Sequence, residues 1–200
     1  MTGTLPLWPV FVALMLTGCA GNDESWHGKD ISGLMPGLEF RLEGTNGQPV
    51  TAADSEGTIR LLYFGFTSCP DVCPTTLTDL RRSVRQLPEQ YRDDVTTLFV
   101  SVDPHRDNPE RLASYVDFFG GRIIGLTAEE PALRKLAKRY RTTFGYDDPD
   151  ASGNYNVSHS SAVYVFDRDG NARLLLRPDL SPEQIGEDLA RLARLAREPG

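Results

Sequence analysis

The chain has 200 residues, of which 40% are hydrophobic and 24% are charged, and its formal net charge at pH 7 is −7. That length fits one domain once a targeting segment is removed, and the hydrophobic content is sufficient for a buried core. The negative charge argues against nucleic acid as a partner, because phosphate neutralisation requires a basic patch and the sequence shows none.

An apolar run from Leu5 to Leu16 lies near the start of the chain. It has the length of a signal-peptide core and is too short to span a bilayer. The sequence Leu16-Thr17-Gly18-Cys19 that follows resembles a bacterial lipobox, in which the signal is cleaved before a cysteine that is then lipidated. We therefore predict a lipoprotein signal peptide at residues 1–18 and a lipidated Cys19 with a flexible tether at residues 19–36. The alternatives are a plain signal peptide or a buried N-terminal element, with Cys19 incidental in either case.

Strand and helix patterns alternate over residues 37–197. Apolar runs and period-two alternation predict strands over residues 38–42, 59–66, 96–102, 122–126, 161–167 and 172–176. Helical spacing and N-cap patterns predict helices over residues 73–87, 109–119, 128–140 and from 182 onward. Central alternation implies parallel strands with helices on both faces, and a closing hairpin followed by a helix is typical of a thioredoxin-like fold. We therefore predict an α/β, thioredoxin-like domain with a central mixed sheet flanked by helices.

The densest chemical feature is the segment from Phe64 to Pro74, which contains Cys69 and Cys73. It lies where a buried strand ends and a helix begins, and in α/β sheets sites form at the carboxyl ends of strands. The N-terminus of a helix favours thiolate, which is the nucleophile and the metal ligand. Two such cysteines can form a disulfide or bind one soft metal ion. A purely structural disulfide is less attractive, because so short a loop gains little entropy when it is closed.

A metal ion held by two thiolates in an open cleft needs a third ligand, and the chain has three histidines. His27 lies in the predicted tether. His105 follows strand 96–102, in a segment that is typical of a solvated loop. His159 precedes strand 161–167, and in a thioredoxin-like topology that loop faces the cysteines, so His159 is the best candidate. Two sulfurs and one imidazole suit Cu(I) and tolerate Cu(II). Zinc would require a fourth ligand such as Asp103.

Residues 63–74, with Cys69-Pro70-Asp71-Val72-Cys73-Pro74 at their centre, resemble the Sco/SenC family of copper chaperones for cytochrome c oxidase assembly. The resemblance continues through Ser101-Val102-Asp103-Pro104, through Arg106-Asp107-Asn108-Pro109-Glu110, and from Tyr155 to Gly170. It covers about residues 37 to 195 and implies a thioredoxin-like fold. Two positions differ: an acidic residue often precedes the histidine in that family and this chain has Ser158, and His105 is not a residue typical of its position.

The resemblance further implies that Cys69, Cys73 and His159 bind copper. It implies delivery of that copper to the dinuclear copper site in the copper-binding subunit of cytochrome c oxidase, or preparation of that site. Asp71 and Asp103 match motif positions, and we expect them to tune the site or to contact the partner. With a lipidated N-terminus, the domain is expected on a membrane of the bacterial cell envelope, facing the periplasm or the cell exterior.

Two functions remain open, and the first, a binding function, is a copper metallochaperone. The second is an enzyme, a thiol-disulfide oxidoreductase in which Cys69 and Cys73 reduce the cysteines of the target site. The spacing of the two cysteines favours the chaperone, because familiar reductase motifs have two intervening residues and this chain has three. A histidine in the facing loop, where reductases tend to carry proline, also favours copper. A peroxiredoxin-like peroxidase is a distant third. In such enzymes a threonine usually lies three residues before the reactive cysteine, whereas here Thr67 lies two residues before Cys69.

Overall fold

A computed structural model describes residues 25–195 of the chain. The predicted signal peptide and Cys19 lie outside the described residues. The elements follow one another as β1 (Lys29–Asp30), β2 (Arg41–Gly44), β3 (Pro49–Thr51), a 3-10 turn (Ala52–Ser55), β4 (Ile59–Gly65), α1 (Val72–Gln86), α2 (Glu89–Arg92), β5 (Val95–Ser101), α3 (Pro109–Phe119), β6 (Ile123–Thr127), α4 (Glu130–Arg139), β7 (Phe144–Tyr146), β8 (Val157–His159), β9 (Val163–Phe166), β10 (Ala172–Leu176) and α5 (Pro182–Leu195).

The central sheet has eight strands in the order β1-β10-β9-β4-β5-β6-β2-β3. Strands β4, β5 and β6 are parallel, whereas β9 runs antiparallel to β4 and β10 antiparallel to β9. Strands β7 and β8 form a separate antiparallel pair. The predicted mixed sheet and its closing hairpin are therefore confirmed.

Strands β4 and β5 are buried along their whole length, because helices cover both faces of the sheet. Successive side chains of β4 enter two different cores. Leu61 and Tyr63 pack in the core that contains the inner faces of α1, α3 and α5, whereas Leu62 and Phe64 pack in the core beneath α4. This arrangement fixes the carboxyl ends of β4 and β5 side by side at one edge of the sheet.

The N-terminal segment joins the domain earlier than the sequence analysis placed it. Residues 25–36 were assigned to the tether, but β1 lies within them and pairs with β10, with Lys29 opposite Leu175. The buried carboxylate of Asp188 accepts hydrogen bonds from two backbone amides just before β1, at 3.1 and 2.8 Å. Gly28 permits the close approach of this segment to β10, because a Cβ at this position would lie 3.0 Å from a side-chain carbon of that strand. This glycine serves close packing, although in a polar segment it is also typical of a linker.

Other differences from the predicted elements are small. The first predicted strand, at residues 38–42, lies instead at Arg41–Gly44. Strands β3, β7 and β8 were not predicted, and each has three residues. Three residues are too few for hydrophobic periodicity to identify a strand. The β7–β8 pair matters most, because His159 is its last residue.

Candidate metal and thiol site

The cysteine segment begins where β4 ends, at Gly65. A Cβ at this position would lie 2.6 Å from the ring of Phe99 and 3.0 Å from the Sγ atom of Cys73, which is too close for any other residue without a shift of its neighbours. After a turn in which the backbone N–H of Cys69 donates to the carbonyl of Phe66, α1 begins at Val72. Cys73 therefore lies in the first turn of α1, directly against the end of β4.

The two cysteines are free, and they differ in exposure. Cys73 is fully buried, whereas Cys69 is half-buried. The Sγ atom of Cys69 accepts a hydrogen bond from the backbone N–H of Cys73 at 3.4 Å. The more accessible sulfur thus lies at the N-terminus of α1, and the second sulfur lies beneath it in the core.

Burial dominates the acidity of Cys73. It raises the pKa of the Cys73 thiol to about 12, because the surrounding apolar side chains disfavour the charged thiolate. The position of the motif at a helix N-terminus predicts that thiolate is favoured there. For Cys73 that expectation is wrong, because desolvation outweighs the hydrogen bonds that lower its pKa.

His159 ends β8, and its imidazole faces the cysteines. Its Nε2 atom lies 3.4 Å from the Sγ atom of Cys73, and its Nδ1 atom lies 2.9 Å from the carbonyl oxygen of Ser160. Because a carbonyl oxygen only accepts, Nδ1 carries the proton and the lone pair of Nε2 points toward the sulfur. Burial lowers the pKa of His159, which favours this neutral form. The ring is also packed edge-on by Phe66, with the ring centroids 5.7 Å apart.

A backbone carbonyl, that of Ser160, therefore orients the imidazole. Ser158 is exposed, and its hydroxyl donates to the carbonyl of Gly145 at 3.4 Å. The side chain of Ser158 thus faces the β7 side of the hairpin, and the N–H of Nδ1 donates to the carbonyl of Ser160 instead.

The ligand atoms of Cys69, Cys73 and His159 all lie within 4.8 Å of one another. Over residues 25–195 they form the one group of three or more histidine, cysteine and acidic side chains that is this close. The other two histidines lie apart from it. His27 pairs with Glu187 at 2.7 Å, and His105 is exposed against the ring of Tyr146.

The two predicted aspartates lie in different surroundings. Asp71 is exposed at the N-cap of α1, where its side chain makes no capping hydrogen bond. Asp103 is fully buried, and both carboxylate oxygens are engaged, one by the hydroxyl of Tyr155 at 2.6 Å and the other by the guanidinium of Arg106. Asp103 is therefore not a free fourth ligand, which weakens the case for zinc.

One residue near the site was missed by the sequence analysis. Asp107 is 1% exposed, and its carboxylate accepts hydrogen bonds from the backbone N–H and the hydroxyl of Thr67 and from the hydroxyl of Ser101. It lies within a segment that carried the family resemblance, but nothing in the sequence pattern showed that it faces the cysteine turn.

A cleft opens over the half-buried sulfur and the imidazole. It is lined by Phe66, Ser68, Cys69, Pro70, Val72, Arg106, Tyr155, Asn156, Val157, Ser158, His159 and Ser161. Arg106 lies over the ring of Tyr155, with its guanidinium carbon 4.0 Å from the ring centroid. The site is therefore reachable from solvent on the side of Cys69, while Cys73 closes it from the core.

The fold and this site define a thioredoxin-like protein with a thiol pair at a strand–helix junction and a histidine facing it. The SCO1/SenC family model matches residues 32–194, and the chain belongs to that family. Among curated relatives, the SCO2-like protein of Rickettsia felis is 34% identical over 154 residues, which cover 76% of this chain and 75% of that protein.

Two solved structures extend the comparison. The copper-bound structure of Bradyrhizobium japonicum ScoI has a TM-score of 0.69 and 33% identity, and the match covers 78% of this chain and 98% of that one. The apo Sco1 structure from Thermus thermophilus has a TM-score of 0.73 and 35% identity, covering 88% of this chain and 99% of that one. No helix within residues 25–195 is long and apolar enough to cross a bilayer.

Proposed function

We propose that this chain is a membrane-anchored copper metallochaperone that binds one copper ion through Cys69, Cys73 and His159. Its target is the dinuclear copper site in the copper-binding subunit of cytochrome c oxidase. The observation that carries the proposal is the meeting of two sulfurs and one imidazole nitrogen within 4.8 Å. Family membership supports it, and so does the copper bound in the Bradyrhizobium japonicum relative.

The donor set suits this metal. Two thiolates and one neutral imidazole are soft or borderline ligands, which select copper over hard cations. The lone pair of Nε2 already points at the site because Nδ1 donates to a backbone carbonyl. A cluster of three ligands also leaves the ion open to a fourth.

Transfer requires that a partner thiolate reach the ion. Cys69 is the half-buried sulfur of the cluster and lines the cleft, whereas Cys73 is buried. An incoming thiolate would therefore enter beside Cys69 and replace its sulfur first, and Cys73 would release the ion last. Asp71, exposed next to this entrance, is positioned to contact the partner.

Copper titration of the reduced soluble domain tests the ligand set. The wild-type domain should show sulfur-to-Cu(II) charge-transfer absorption or retain one equivalent of Cu(I), and the His159→Ala variant should lose tight binding. His105→Ala is the matched control, because His105 is exposed and lies outside the cluster. Equal binding by the His159→Ala variant would show that the ligand set is wrong.

A second candidate function is reduction of the target site's disulfide. The difference in exposure between the two free cysteines favours it, because an accessible Cys69 can attack and a buried Cys73 can resolve the mixed disulfide. The two thiols would lose two electrons and two protons and form a disulfide, while the target disulfide becomes two thiols. If the His159→Ala variant still supports oxidase assembly in a deletion strain, reduction and not copper transfer is the essential role.

The membrane anchor is proposed from the lipobox-like sequence at residues 16–19. A lipidated Cys19 would hold the domain at a membrane of the bacterial cell envelope, facing the periplasm or the cell exterior. The test is fractionation of cells that express the full chain or its Cys19→Ser variant. The wild-type protein should sediment with membranes and incorporate labelled palmitate, and a variant that does the same would exclude lipidation at Cys19.

A further inference from the structure

The loop between β5 and α3 carries a buried carboxylate that faces the cysteine turn. Asp107 is 1% exposed, and it accepts hydrogen bonds from the backbone N–H of Thr67 at 2.8 Å and from its hydroxyl at 2.5 Å. The hydroxyl of Ser101, at the end of β5, donates to the same carboxylate at 2.6 Å. Asp107 therefore joins the turn before Cys69 to the end of the neighbouring strand.

Arg111, one helical turn further on, reinforces this connection. Its guanidinium donates to the hydroxyl of Thr67 at 2.7 Å and to the hydroxyl of Ser68 at 3.0 Å, and lies 3.9 Å from the carboxylate of Asp107. Both residues that precede Cys69 are thus held by side chains of one loop and helix. A buried carboxylate with this many charge-assisted hydrogen bonds is costly to disturb.

The same loop holds the histidine side of the site through a different carboxylate. Asp103 accepts from the hydroxyl of Tyr155, and Arg106 donates to the carbonyl of Tyr155, four residues before His159. The backbone N–H of Asp107 donates to the backbone carbonyl of Asp103 at 2.9 Å, which fixes the loop backbone between the two aspartates. One loop thus presents one buried aspartate to each ligand-bearing segment.

We propose that Asp107 is a positioning residue that holds the sulfur of Cys69 against Cys73 and thereby sets the stability of their disulfide and the retention of copper. The copper part rests on the proposed function, whereas the disulfide part does not. The physical reason is effective concentration. A turn fixed at Thr67 and Ser68 keeps one sulfur near the other, and a released turn spends time in conformations where the two sulfurs cannot meet.

The experiment measures the disulfide equilibrium of the soluble domain against a glutathione redox buffer. Asp107→Ala should make the disulfide about tenfold easier to reduce, which for a two-electron couple is about 30 mV. Asp107→Asn keeps one acceptor oxygen and should shift the equilibrium less. The matched control is Asp117→Asn, an exposed carboxylate on α3, which should leave it unchanged. A change below twofold for Asp107→Ala, in a protein that circular dichroism shows to be folded, would overturn the proposal.

Two further variants separate positioning from general destabilisation. Thr67→Val removes the hydroxyl on the turn, and Ser101→Ala removes a hydrogen bond on the strand side without releasing the turn. Positioning predicts that Thr67→Val shifts the disulfide equilibrium and that its effect is not additive with that of Asp107→Asn. Ser101→Ala should lower the melting temperature but leave the equilibrium within twofold. An equal shift by Ser101→Ala would mean that loss of stability alone explains the result.

A variant of Asp103 separates the positioning role of Asp107 from the copper-binding function. Asp103→Asn loosens the segment before His159, so it should speed the loss of Cu(I) to a chelator several-fold. Asp107→Ala should do the same and also shift the disulfide equilibrium. If the wild-type domain binds no copper, the proposed function fails while the disulfide measurement still decides the role of Asp107.

Discussion

The buried thiol of Cys73 should react far more slowly than an ordinary cysteine. Burial raises its pKa from the ordinary value of 9.0 to about 12. At pH 8 the thiolate fraction is then about one in 10⁴, against about one in ten for an unperturbed thiol, a difference of about 10³-fold in reactive species. Because the pKa is raised, the thiol stays protonated through neutral pH, and its reactivity should keep rising tenfold per pH unit well above pH 9.

The assay is alkylation of the Cys69→Ser variant by iodoacetamide, followed by mass spectrometry between pH 7 and pH 10. The same variant unfolded in guanidinium gives the rate of a free thiol, and the Cys73→Ser variant reports the half-buried Cys69 as a control. Poor access alone would also slow the reaction, but its rate would then level off near pH 9. A levelled rate, or a folded rate within tenfold of the unfolded one at pH 8, would refute a raised pKa.

Three other predictions test the close packing at Gly65, the docking of the N-terminal segment and the proton that copper binding displaces. Gly65→Ala forces a methyl group against Phe99, so it should cost about 1–3 kcal/mol and lower the melting temperature by several degrees, and an unchanged melting curve would contradict the close packing. Asp188→Ala leaves one buried and one partly buried N–H group unpaired and should cost about 2–4 kcal/mol in urea unfolding, whereas Glu187→Gln, on the exposed neighbour, should cost little. Copper affinity should rise at least tenfold per pH unit between pH 6 and pH 8, because binding displaces the proton of Cys73, and a flat profile would exclude a protonated Cys73 in the apo protein.

Much of the fold followed from local sequence pattern. The apolar strand Ile59–Gly65, the helix that begins beside Cys73, and the hairpin formed by β9 and β10 were predicted because each has enough residues to show its period or a strong turn signal. The short strands were not predicted, and neither was the docking of residues 25–36. These depend on pairing with distant strands and on the carboxylate of Asp188, which is 160 residues away in the chain.

The candidate site shows the same division. The cysteine pair and its strand–helix junction were readable directly, because both sulfurs lie within one continuous segment. His159 was selected among three histidines by expected topology together with the family resemblance. Its tautomer follows only from the carbonyl of Ser160, and no sequence pattern encodes that geometry.

The sequence by itself determined where the thiols lie, since the spacing of Cys69 and Cys73 and the start of a helix are local properties. Only the tertiary structure decided how they behave. Packing against β4 buries Cys73 and raises its pKa, against the expected effect of the helix N-terminus, because desolvation depends on neighbours from the whole chain. The same packing brings Asp107 to the cysteine turn and His159 to within 3.4 Å of Cys73, and so assembles one site from three distant segments.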